Sequence, residues 1–123
     1  MTVFGRVAPT LNVRDMSSAL DFWTTKLGFS VSFTNGSPVS FAIVQRGAAE
    51  VHLQVKGERA GQGHCHMLVT GIEELHRAFE SSGVDIRQPL KIQPWGLRDI
   101  VIADIDGNTM EIAELISAPA PAL

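Results

Sequence analysis

Three of the chain's four histidines and one glutamate fall where strand alternation turns them to a common side. The pattern predicts strands over 50–55, 64–69 and 109–115. In the first, Val51, Leu53 and Val55 take one face and leave Glu50, His52 and Gln54 on the other. In the second, Cys65, Met67 and Val69 take the core side, and His64 and His66 face away from it. In the third, Met110 and Ile112 leave Glu111 and Ala113 opposite. Successive side chains of a strand alternate, so these assignments come from parity alone. Two imidazoles and a carboxylate, His52, His64 and Glu111, suit one divalent ion (Zn, Mn, Ni or Fe) with positions open to a substrate. The same groups equally suit hydrogen bonds to a ligand, to water or to each other. No compact metal motif such as H-E-x-x-H decides between the two. His76 lies on a helix and is expected to be solvated. Cys65 points to the core, which disfavours it as a nucleophile.

Aromatic residues add a second signal. Gln93-Pro94-Trp95-Gly96 reads as a loop just before a strand, and an indole there offers a flat surface for stacking or an anchor under the sheet edge. Phe33 and Phe41 flank the open side of the first half. Trp23 falls on a buried helical stripe. The candidate ligand-binding set is therefore Phe33, Phe41, His52, Gln54, His64, His66, Trp95 and Glu111, and no residue is assigned a catalytic role.

The elements that position these residues occur twice. Leu20 answers Leu75, Gly28 answers Gly83 and Phe29 answers Val84 at one offset. Residues 7–13 read as the first strand, with Val7, Leu11 and Val13 on the core side. Asp15 is a good N-cap for a helix over 16–27, with Ala19, Leu20, Trp23 and Leu27 as its apolar stripe. Strands over 31–34 and 39–45 follow, punctuated by Asn35-Gly36 and Arg46-Gly47. The second half repeats this: a helix over 72–81, then strands over 86–92 and 99–104, with Asp106-Gly107 as the last turn. The fold class is α+β: two tandem βαβββ modules forming a curved mixed sheet with a cleft. Module 1 spans about 3–56, a glycine-rich unstructured linker 57–62, module 2 about 63–116, and a flexible proline-rich tail 117–123. Under the repeat, Ala8 corresponds to His64 and His52 to Glu111.

At 123 residues the chain is one domain made of fused halves. A net charge of −3, scattered along the chain, lacks the basic stripe of a nucleic-acid binder. One cysteine permits no internal disulfide, which fits a reducing, cytoplasmic setting. No charged-then-apolar leader is visible, and no run approaches the roughly 18 apolar residues of a membrane span.

Two stretches carry a resemblance: VAPTLNVRDMSSALDFWTTKLGFSVSF and IQPWGLRDIVIADIDGNTMEI. The opening strand with R-D, F-W and L-G-F, and the later PWG-R…D-x-x-GN, resemble the vicinal oxygen chelate (glyoxalase/bleomycin resistance/dioxygenase) superfamily, and most nearly its bleomycin-resistance branch. That resemblance implies paired βαβββ modules in a homodimer that exchanges its N-terminal strands, with Pro9 where those binders have a hinge proline. It implies sequestration without catalysis of a large, cationic, aromatic antibiotic in two grooves at the dimer interface, and hence drug resistance as the role. Trp95 matches a groove-lining segment, and His66 falls where such a binder has an aromatic. Partners would be a small molecule and a second copy, without nucleic acid, membrane or cofactor. Enzymes of the superfamily, such as glyoxalase I and the fosfomycin-modifying transferases, place metal ligands at the positions of Ala8, His52, His64 and Glu111. Alanine at the first of these argues against a metal-dependent lyase, isomerase or transferase; the other three keep that alternative open.

Overall fold

A computed structural model describes residues 1–116, so the expected tail lies outside the described residues. Each half builds a four-stranded mixed sheet. In module 1, β1 (Thr10–Val13) runs parallel to β4 (Ala49–Val55), which pairs antiparallel with β3 (Phe41–Arg46), and β3 with β2 (Ser30–Asn35). Module 2 repeats the order, with β5 (His64–Leu68) beside β8 (Thr109–Leu115), then β7 (Leu97–Ala103) and β6 (Asp85–Gln93). Helices α1 (Met16–Asp21) and α2 (Ile72–Ser82) follow the first strand of their modules.

Local chemistry sets the helix ends. The Asp15 carboxylate accepts from the Ser18 amide at 2.9 Å and from its hydroxyl at 2.6 Å, capping α1. The expected 16–27 helix does not continue as a regular one. Thr24 and Thr25 donate their hydroxyls to the Leu20 and Asp21 carbonyls at 2.8 and 2.6 Å. The ladder widens there into a π-turn over Phe22–Lys26, closed by the Leu27 amide on the Phe22 carbonyl. The extra residue leaves both Phe22 and Trp23 buried, and Trp23 meets Phe29 edge-on at 4.9 Å. Leu20 is only partly buried as a result.

The core collects the odd-numbered side of β1 and β4 (Leu11, Val13, Val51, Leu53), Trp23, and the even-numbered side of β7 and β8 (Ile100, Ile102, Met110, Ile112) with Ile72 and Phe79 of α2. Parity predicted this partition for β1, β4 and β8. Two other expectations are corrected. The first strand begins at Thr10, and Val7 is 91% exposed. Pro9 has no amide hydrogen to donate, so the ladder stops there and residues 1–9 form an arm, with Val3 and Phe4 also in solvent.

The linker, expected to be unstructured, is ordered by contacts that composition does not reveal. It makes a 3₁₀ turn at Gly57–Arg59 and buries Ala60. Gly61, at φ +82°, lies where any Cβ would strike the Asp106 carbonyl. The β7–β8 turn then grips module 1. The fully buried Asn108 donates to the Asn12 carbonyl and accepts from the Gly63 amide, both at 2.9 Å. Asp106 accepts from the Arg14 amide and guanidinium at 3.0 and 3.1 Å. Asp104 accepts from Asn108 and the Asp106 amide, while burial pushes its carboxyl above the usual range.

Candidate functional site

Strand register resolves each concave face into rows. On module 1, one row holds Thr10, His52, Ile43 and Phe33, and the next holds Asn12, Gln54, Phe41 and Asn35. On module 2 the equivalent rows hold His66, Glu111, Val101 and Gln88, then Leu68, Ala113, Asp99 and Lys91. All the candidate strand residues lie on these faces, opposite the core.

Module 1 presents an aromatic surface. Phe41 makes edge contacts with Phe33 at 6.2 Å and with the His52 ring at 5.4 Å, and Phe33 is half exposed. Gln54 pairs across the ladder with Phe41. His52 Nε2 is 2.8 Å from Glu50 Oε2, and the other Glu50 oxygen is 3.4 Å from the Arg6 guanidinium in the arm.

Module 2 presents an ionisable surface. His64 and His66 are exposed, and His64 Nδ1 is 2.7 Å from the Thr109 hydroxyl. Asp99 is 1% exposed, and its Oδ1 accepts from the Gln88 and Gln93 amides at 2.8 and 3.0 Å. It is cross-strand from Lys91, and its carboxyl neighbour is Glu111. The hydrogen bond to Asp99, and then burial, push the Glu111 carboxyl up. Burial pushes Asp99 up too, but the bonds from Glu111, Gln93 and Gln88 outweigh it and hold Asp99 below its usual value. The two neighbouring carboxyls are thus pushed in opposite directions. Beyond them the face turns apolar at Leu68 and Leu115, both more than 60% exposed, and Trp95 is 67% exposed in the adjoining loop.

His52, on one sheet, and His64 and Glu111, on the other, are not brought together. They bind Glu50, Thr109 and Asp99 respectively. Among the described residues no group of three or more His, Cys, Asp or Glu is placed to hold a metal ion. The donor set therefore does not fit a metal within one protomer. A groove of about 610 Å³ lies between the modules on the helix side, lined by Leu27, Phe29, Met67, Val69, Phe79 and Met110 among others, and none of the candidate residues lines it. Burial pushes the half-buried Cys65 thiol up to about 11, in keeping with its core-side position. His76 is not solvated: its side chain is 15% exposed, because it sits four residues after Ile72 and three before Phe79 on the buried stripe of α2.

Gln88 and Gln93 are absent from the sequence-derived set, and Asp99, a carboxylate suited by its charge to attracting a cationic ligand, lies outside the ligand-binding residues named from the sequence. The signal for Asp99 was present, since Ile100 and Ile102 occupy the core side and parity puts Asp99 beside Glu111. The two glutamines were hidden by register shifts in β6 between Ile86 and Gln88 and between Gln88 and Lys91.

Residues 4–112 match the family model for the Glyoxalase/Bleomycin resistance protein/Dioxygenase superfamily. A bleomycin resistance protein of Geobacillus stearothermophilus is 25% identical over 130 residues, covering 89% of this chain and 96% of its own. The crystal structure of TioX from Micromonospora sp. ML1 superposes with a TM-score of 0.80 at 22% identity, covering 92% and 100% of the two chains. The bleomycin-binding protein of Streptomyces verticillus, in complex with copper(II)-bleomycin, superposes at 0.77 with 24% identity, covering 91% and 97%. These two structures share the fold. No helix of the described residues is long and apolar enough to cross a membrane.

Proposed function

The chain belongs to the glyoxalase/bleomycin resistance protein/dioxygenase superfamily, and on that basis we propose that it is a metal-free binding protein that sequesters an aromatic, cationic small molecule of antibiotic type, without turnover. The observation that carries this reading is the pairing of unlike faces. Phe33, Phe41 and His52 form an aromatic wall, and Asp99, Glu111, His64 and His66 form a hydrogen-bonding one. A flat cation between two such walls stacks on one and is held electrostatically by the other. Relatives named for bleomycin resistance support the same ligand class.

The two walls belong to separate sheets, and a second copy supplies the geometry that joins them. In the proposed homodimer, module 1 of one protomer faces module 2 of its partner and the N-terminal arms exchange about Pro9. Val3, Phe4 and Val7, each more than 80% exposed, support this, because a lone chain leaves their apolar area in water. Gln54 and Trp95 would line the groove from either side. The mechanism is mass action, with ligand captured and no bond made or broken.

Calorimetric titration with bleomycin tests the proposal. One ligand per chain, recovered chemically unchanged and bound equally well after chelation, is the expected result. One divalent ion per chain in chelator-free protein, lost in His64→Ala together with binding, would instead establish a metal centre built from His52, His64 and Glu111 across the dimer.

A further inference from the structure

We infer that Gln93 is the positioning residue for Trp95: it ties the turn that presents the indole to the carboxyl pair of module 2, so that a stacking surface and an acid form one preset subsite for an aromatic cation. This deepens the binding reading above and rests on it.

The turn is Pro94-Trp95-Gly96, between β6 and β7, closed by the pairing of Gln93 with Leu97. The Gly96 amide donates to the Gln93 carbonyl at 3.1 Å, and the Gly96 carbonyl accepts from the Ile116 amide at 3.0 Å. Gly96 holds φ +90°, a conformation that a side chain would strain. The backbone around the indole is thus pinned, while Trp95 itself is 67% exposed. That separates the two roles its sequence position allows. An anchor would lie under the sheet edge, whereas this indole is held out in water by a fixed turn, as a stacking surface must be.

The inner pin is a side chain. Gln93 shares a row of the concave face with Leu97 and Leu115, yet is only 8% exposed. Its amide reaches back across one row and donates to Asp99 Oδ1 at 3.0 Å. A glutamine buried to that degree keeps its rotamer through such a bond. Asp99 in turn lies against Glu111. Each link is therefore a contact: the Trp95 turn to the Gln93 carbonyl, the Gln93 amide to Asp99, and Asp99 to Glu111. Gln88 donates to the same Asp99 oxygen at 2.8 Å but stands earlier in β6, outside the turn. Of the two glutamines, Gln93 alone joins the acid to the aromatic. All of these contacts lie within module 2, so exchange of residues 1–9 leaves them in place. A platform fixed before the ligand arrives has less ordering to lose on binding.

The test labels both indoles with 5-fluorotryptophan, and Trp95→Ala assigns the two fluorine resonances. Trp23, fully buried, reports the core. Gln93→Met keeps the side-chain volume and removes the donor, and Gln88→Met removes the other amide from Asp99. Gln93→Met is expected to move the Trp95 resonance toward that of the free amino acid and to leave Trp23 in place, whereas Gln88→Met leaves both where wild type has them. In calorimetric titrations with bleomycin, Gln93→Met and Trp95→Ala should each weaken binding about fivefold, and the double variant no further, because the two changes disable one unit. A Trp95 resonance unmoved by Gln93→Met, or moved equally by Gln88→Met, overturns the inference. So does movement of Trp23 alongside Trp95, which would mean a general loosening of the fold, and so do losses of affinity that add in the double variant. Bleomycin left unbound by wild type sinks the sequestration reading instead, and the fluorine resonances then decide the role of Gln93 by themselves.

Discussion

The two concave faces occupy equivalent positions and have opposite chemistry. Register places Phe41 of module 1 where module 2 has Asp99, His52 where it has Glu111, and Phe33 where it has Gln88. The contacts correspond as well as the positions do. Phe41 touches His52 and Phe33 through ring edges, and Asp99 touches Glu111 and Gln88 through hydrogen bonds. Behind both faces the frame is shared: a parallel strand pair at one edge, an amphipathic helix, and a glycine with positive φ after it, Gly28 and Gly83. One framework thus carries two unlike walls. Mutations in the frame should act on folding, whereas mutations on the faces should act according to how each face is held together.

The largest difference should appear in stability. Asp99→Ala removes the acceptor of the Gln88 and Gln93 amides and the partner of Glu111, in a place where Gln93 is only 8% exposed. Leaving buried donors unpaired costs about 1–3 kcal/mol, so urea unfolding should lose that much. Asp99→Ala unfolding at the wild-type midpoint would erase the contrast, because the acid wall would then be as loosely held as the aromatic one. Phe41→Ala should instead spare the fold relative to its effect on ligand. A stacking anchor at a groove centre is worth more than about 1 kcal/mol, so bleomycin affinity should fall about fivefold or more by calorimetry. Equal affinity after Phe41→Ala would mean that module 1 provides no stacking surface.

Glu111→Gln sharpens the contrast through pH. Glu111 is raised in the fold, so its favourable contribution is complete below the unfolded value of about 4.3 and is lost as pH rises through the folded value. Glutamine keeps a donor toward Asp99 at every pH. The variant should therefore match wild type near pH 4 and gain on it toward pH 7, in urea midpoints measured at both. Asp99 has the opposite sign. Its lowered carboxyl adds stability above about 3.9 that is lost as pH falls through the folded value, and this loss should appear in both proteins alike. A constant offset between the two proteins would dissociate Glu111 from Asp99.

The sequence disclosed the frame better than the faces, for reasons that particular residues make plain. β8 was read with its observed ends, Thr109–Leu115, because Met110 and Ile112 alternate cleanly with polar neighbours and Asp106-Gly107 starts the strand. Parity also separated Glu50, His52 and Gln54 from Val51 and Leu53, and His64 and His66 from Cys65 and Met67. What it missed depends on distant contacts. The Gly61 and Asn108 contacts that order the linker join residues far apart in the chain, and glycine-rich composition there signals only freedom. The π-turn arises from two threonine hydroxyls competing for carbonyls, a local effect that hydrophobic spacing does not register. Pro9 is the informative case: Val7, Leu11 and Val13 alternate as a strand should, yet one missing amide hydrogen overrides the pattern and releases the arm. Which residues share a face was legible in parity, but parity carries nothing about which faces share a ligand, which in the proposed dimer is set by a second chain.

The smallest expected effect concerns how the two helices are started. Asp15 caps α1 from three residues away, with hydrogen bonds from Ser18 holding its carboxyl low. The α2 N-terminus follows Gly71, which makes no side-chain cap, and the acceptor comes from β8 instead. Glu114 accepts from the Gly71 and Ile72 amides at 3.2 and 3.1 Å, and those bonds hold its carboxyl below the usual range. One module thus caps its helix by sequence and the other by tertiary contact. A depressed carboxyl contributes above its unfolded value of about 4.3 and stops contributing as pH falls through the folded one. Glu114→Gln should therefore lower the Tm slightly at pH 7, and the difference should shrink as pH falls through the folded value, where wild type loses the same charge. Arg98, 3.3 Å from Glu114 and 2.8 Å from Glu73, would then keep only the more exposed of its two charged partners. A deficit that persists undiminished in acid would locate the cap's value in hydrogen-bond geometry rather than in the negative charge at the helix start, and the two modules would then begin their helices by the same physics after all.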